Sequence, residues 1–133
     1  MIVILLFAVS LLFAEDAISI DDIYGTWVNA DYNEKAPRAK WIRHNDGTLE
    51  LYNKVNDNET SYTGKETMTG SWYDEEGNLW TQSITFFNDG SMSYLLSKYS
   101  DSGNVWELVW SEAKYPDEMS PIGGNYSIYY RQE

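Results

Sequence analysis

The chain has 133 residues, with 21 Asp and Glu against nine Lys and Arg and no cysteine. That length suits one domain around one core. A formal charge of −12 with scattered bases argues against nucleic acid and anionic membranes, which need clustered cations. Without cysteine there is no thiol nucleophile, no lipid-modified cysteine and no disulfide, so an exported fold of this size must hold by packing alone.

Residues 1–14, MIVILLFAVSLLFA, are apolar apart from Ser10 and carry no charge. They are too few to span a bilayer core of about 30 Å. The run reads as the apolar part of a secretory signal peptide with cleavage after Ala14, although no Lys or Arg precedes it. A buried N-terminal helix or an uncleaved anchor is the alternative. Residues 15–22 form an acidic leader, and 23–133 the folded domain. A secreted or periplasmic protein, free of the membrane once the signal is removed, is expected.

After the leader, no 3.6-residue periodicity runs long enough for a helix. Turn signals recur instead, in HNDGTLELY (44–52), YDEEGNLWT (73–81), FNDGSMSYL (87–95) and YSDSGNVWEL (99–108). Each sets Asp or Glu before a Gly and an alternating run after it, as tight hairpins require. Gly77, Gly90 and Gly103 are 13 residues apart, which implies successive antiparallel strands of about nine residues. About eight strands result, near 23–30, 39–45, 48–54, 63–73, 79–87, 91–99, 104–111 and 126–131.

Alternation assigns faces. On the fourth strand Met68, Gly70 and Trp72 oppose Thr67, Thr69 and Ser71. On the sixth, Met92, Tyr94 and Leu96 oppose serines, and on the seventh Trp106, Leu108 and Trp110 share a side. One covered face per strand is the mark of an antiparallel sheet. Closure would remove the wet apolar face and both free edges, so an all-β, up-and-down meander of about eight strands closed into a small barrel is expected. Such an interior is either filled by side chains or able to hold one small ligand. An outer-membrane barrel needs a lipid-facing apolar band, which Lys40, Glu50, Lys65 and Glu107 interrupt.

The first strand begins IYGTWVN (23–29) and the chain ends YSIYYRQE (126–133). The pattern Gly25-x-Trp27, with Arg131 on the last strand, resembles the lipocalin-like barrels of the calycin superfamily. The resemblance implies that Trp27 lies at the closed end with the Arg131 guanidinium across its indole, and that Gly25 permits a close approach there. An ordinary buried Trp in a β-sandwich is the alternative. The connection 30–38 is too short for the helical lid of fatty-acid-binding barrels and is closer to small bacterial lipocalin-like or avidin-type domains. No family's ligand residues can be carried over.

Catalytic constellations are not evident. His44 is the only histidine and stands at a turn, and no Gly-x-Ser-x-Gly or His-Glu-x-x-His motif occurs. Asp74-Glu75-Glu76 and Asn56-Asp57-Asn58-Glu59 lack the spacing of a calcium loop and read as solvated turns. A non-enzyme without cofactor or metal is expected. The six Trp and eleven Tyr suit strand packing and equally suit the wall of a pocket. If Trp41 faces inward so does Arg43, which then needs a carboxylate from the interior or from a ligand. The candidate ligand-binding residues are Trp41, Arg43, Trp72, Tyr94, Trp106 and Trp110. The expected partner is a small, partly apolar molecule. The alternative is an exported protein, bound by an inhibitor or adhesin whose barrel is filled and whose long connection 111–125 makes contact.

Overall fold

The computed structural model describes residues 17–29, 38–55, 58–120 and 125–132. The expected signal at 1–14, the start of the acidic leader, the connection 30–37 and residues 56–57 and 121–124 lie outside these. Eight strands follow in order: β1 (Gly25–Asn29), β2 (Arg38–Arg43), β3 (Thr48–Val55), β4 (Asn58–Tyr73), β5 (Leu79–Phe87), β6 (Met92–Ser100), β7 (Val105–Ser111) and β8 (Tyr126–Gln132). Each pairs antiparallel with the next and β8 pairs with β1, so the up-and-down meander closes into a barrel. β4 starts earlier than its turn chemistry suggests. Asn58 and Glu59, read above as part of a solvated turn, pair with Val55 and Lys54.

The hairpins are held by the aspartates that precede their glycines. Asp46 Oδ1 accepts the Thr48 N–H at 2.9 Å and its hydroxyl at 2.6 Å; Asp89 Oδ1 does the same for Ser91 at 2.9 and 2.6 Å. Asp74 is more heavily engaged. Trp80 Nε1–H donates to its Oδ2 at 2.8 Å, and the N–H groups of Asn78 and Glu76 donate to Oδ1 at 3.0 Å each. The Trp80 indole foremost, with these backbone donors, holds the Asp74 carboxyl down to about 2.

One end of the barrel is sealed. Arg131 lies opposite Trp27 across the β1–β8 seam, with its guanidinium carbon 4.4 Å from the centre of the indole. The same guanidinium donates to the carbonyls of Tyr24 at 2.9 Å and Gly103 at 3.0 and 3.2 Å, and to that of Asp22. It thereby ties together the entry to β1, the β6–β7 turn and the last strand. Gly25 has φ +125°, and a Cβ there would stand 3.0 Å from Arg131 Nη1, so a side chain would collide with the clasp. Trp27 Nε1–H in turn donates to the Ile23 carbonyl at 3.0 Å. That carbonyl belongs to a short 3-10 helix, Ile20–Ile23, capped by Ser19 and Asp22. Ile18 and Ile23 are buried with the core, so this part of the acidic stretch packs on the barrel base.

Above the clasp lies an aromatic cluster. Trp106 is its centre, with ring centroids 5.7 Å from Trp27, 5.4 Å from Trp41, 6.1 Å from Tyr99 and 4.8 Å from Tyr129. Trp27, Tyr99 and Trp106 are wholly buried. An aromatic side chain removes roughly 150–250 Å2 from water, which stabilises the fold by about 4–6 kcal/mol each as an upper bound.

Two strands face otherwise than their apolar pattern suggests. In β4 the pairing runs Met68↔Ser83 and then Gly70↔Gln82, so a bulge at Thr69 adds one residue to β4 alone. Beyond it the inward and outward sets exchange. Trp72 therefore faces solvent, 42 % exposed, and stacks on its outward neighbour Trp80 at 6.1 Å. In β6 the inner positions are Ser93, Leu95, Ser97 and Tyr99. Tyr94 and Leu96 face outward, where Tyr115 lies against Tyr94 at 5.0 Å and hydrogen-bonds Thr69. The segment after β7 thus covers an apolar outer patch, and the serines occupy the interior.

Candidate functional site

The other end of the barrel is hollow. An open cavity of about 800 Å3 lies between the aromatic cluster and the turn at 88–91. Pairing around the ring explains the space. Where the base carries Trp, Tyr and Arg, the upper inward positions carry Ala39, Thr60, Thr85, Ser93 and Ser127, all too short to meet across the interior. The longer wall residues are apolar or aromatic: Trp41, Leu51, Tyr62, Phe87, Leu95, Leu108, Trp110 and Tyr129. Phe87 lies 6.2 Å from both Trp41 and Tyr62, which makes one continuous aromatic wall. Asn29 and Asn53 add amides, and Asp89 and Glu112 stand at the rim.

Polar groups within this shell are few and specific. Thr85 is fully buried, lines the cavity, and its hydroxyl has no hydrogen-bond partner among the described residues. Burial pushes the Tyr129 phenol up, so it remains protonated at any ordinary pH.

Below the cavity a charged pair is enclosed. Arg43 Nε and Nη2 donate to Glu66 Oε1 and Oε2 at 3.0 and 2.9 Å, and the Ser83 hydroxyl donates to Oε2 at 2.7 Å. The guanidinium carbon lies 4.4 Å over the Trp106 ring, and Nη1 donates to the Tyr99 hydroxyl. Burial alone would lower the Arg43 pKa, but Glu66 and the Tyr99 oxygen outweigh it and hold the guanidinium charged above its usual range. The carboxylate that Arg43 needs is therefore an interior one.

The six residues singled out from the sequence divide three ways. Trp41 and Trp110 stand in the cavity wall. Arg43 and Trp106 point inward but lie in the packed base, outside the cavity lining. Trp72 and Tyr94 are corrected to the outer surface, by the β4 bulge and by the inverted face of β6. Tyr62, Phe87, Tyr129, Leu51 and Leu95 also line the cavity and were not singled out from the sequence, while Leu108 was placed on the face of Trp106 and Trp110 without being named a candidate. For Phe87 a signal was present in the odd-numbered stripe Leu79, Thr81, Ser83, Thr85, Phe87 on β5, whose ends are apolar and whose middle is small. Among the described residues, no three His, Cys, Asp or Glu side chains are grouped to hold a metal ion, and no helix is long and apolar enough to cross a membrane. The chain matches no family model, no curated protein and no solved structure.

Proposed function

We propose that the chain is an exported, lipocalin-like binding protein that holds a small, partly apolar molecule in the upper half of its barrel and carries out no chemistry on it. The observation that supports this is the cavity of about 800 Å3, walled by aromatic and aliphatic side chains around a few polar groups. The Gly25, Trp27 and Arg131 clasp supports the lipocalin-like reading, because it joins the same three positions that carry the sequence resemblance. The apolar segment 1–14 supports export. The competing reading, a module that binds another exported protein, rests on a filled barrel. A hollow one favours the small ligand.

The test uses N-phenyl-1-naphthylamine, a neutral apolar probe whose fluorescence rises on burial. Saturable 1:1 binding that Leu51→Trp weakens at least about tenfold is expected. No saturable signal, or a signal that Leu51→Trp leaves unchanged, would overturn the reading.

A further inference from the structure

Charge at the cavity is one-sided. Among the described residues, no Lys, Arg or His lines it, while Asp89 and Glu112 stand at its rim. Asp89 is held ionised by the Ser91 hydroxyl and N–H, which lower its pKa. The Arg43 guanidinium lies beneath the cavity and is bidentate to Glu66, so it has no fork left for a ligand anion. Among the described residues, an apolar carboxylate entering this space would meet two rim carboxylates and no cation.

The wall chemistry favours the opposite sign. Aromatic faces are electron-rich and attract cations most strongly where water is excluded. The rings of Trp41, Tyr62, Phe87, Trp110 and Tyr129 surround the space. At depth, the unpartnered hydroxyl of fully buried Thr85 has unmet hydrogen-bonding capacity that a polar group of a ligand would satisfy. The charge of −12 on the whole chain adds a field that gathers cations from solution.

We propose that the ligand is an organic cation: a protonated amine or quaternary ammonium on an apolar, ring-sized body. This rests on the cavity being the binding site and adds the sign of the ligand's charge. The body occupies the aromatic wall, and the cationic group is balanced by Asp89 and Glu112. Anionic amphiphiles such as fatty acids are rejected, because among the described lining residues a carboxylate would be desolvated without a cationic partner.

Three naphthalenes of one shape and different charge test it: 1-naphthylmethylammonium, 1-naphthylmethanol and 1-naphthylacetate, titrated by calorimetry at pH 7 and low salt. The ammonium should bind roughly tenfold tighter than the alcohol, and the carboxylate weakest. Asp89→Asn with Glu112→Gln should reduce the ammonium's advantage over the alcohol to about threefold or less. Glu75→Gln with Glu76→Gln removes the same two charges from the β4–β5 turn at the closed end, and should retain the advantage. Equal affinity for all three compounds, or tightest binding of the carboxylate, overturns the charge assignment and leaves the cavity reading standing. An advantage that both double variants erase equally overturns the rim's role. No binding of any of the three at millimolar concentration overturns both proposals.

Discussion

The two halves of this barrel are built from the same strands and use opposite side-chain economies. The closed half is filled by Trp27, Tyr99 and Trp106 around an enclosed Arg43–Glu66 pair. The open half replaces them with Ala39, Thr85, Ser93 and Ser127 and is left hollow. A single strand spans both regimes: β7 runs from Trp106 in the packed base to Trp110 in the cavity wall, and β2 from Arg43 to Ala39. The lesson is that closure of the sheet makes an interior, but the sizes of the inward residues at each level decide whether that interior is core or pocket. On the proposed reading stability and binding are therefore separable, and substitutions can address either half alone.

The largest effect should come from breaking the base. Arg43→Met leaves Glu66 buried without its counter-charge and should destabilise the fold by about 3–5 kcal/mol in chemical denaturation at pH 7. Adding Glu66→Gln to it should recover part of the loss, since the orphaned charge is then gone. Gly25→Ala places a side chain at φ +125° against the Arg131 clasp and should cost about 1–3 kcal/mol. Neither is expected to alter the cavity's preference among probes once the protein is folded.

The complementary change is made in the open half. Leu51→Trp fills space with an indole, so probe affinity should fall at least about tenfold while stability changes by less than about 1.5 kcal/mol. A stability loss as large as that of Arg43→Met would mean the upper half is packed core after all.

Two smaller effects sharpen the contrast. Asp74 has its folded pKa lowered to about 2 from 3.8. Its contribution is therefore fully present above about pH 4 and is lost as pH falls through about 2. Asp74→Asn should lower Tm by a constant amount from pH 5 to 7, and the gap to the unaltered protein should close between pH 4 and 2. Trp72→Ala, on the outer wall, should cost no more than about 1 kcal/mol from its lost stack on Trp80 and should leave probe binding unchanged. A drop in probe affinity there would move the binding surface to the outside.

The closed half was legible in the sequence to a degree that the open half was not. Aspartate–glycine hairpins at regular spacing placed the strands, and Gly25, Trp27 and Arg131 marked where the first and last would meet. The hairpin signals are local, whereas the meeting of Gly25 and Trp27 with Arg131 was implied by the resemblance those residues carry. The cavity depends on register, which sequence does not carry. One bulge at Thr69 turned Trp72 outward, and the cover that Tyr115 provides let Tyr94 face out while serines faced in. An apolar–polar alternation reads serines as solvent-facing. In a hollow barrel they are the residues that make room.

The division into packed base and hollow top is tested most directly by methyl-resolved NMR with 1-naphthylmethanol added stepwise. Leu51, Leu95 and Leu108 line the cavity, whereas Leu49 and Leu79 belong to the base core. The account predicts that the first three methyl pairs shift saturably while the last two stay in place. Shifts spread equally over both sets, or confined to surface residues around Trp72, would contradict it.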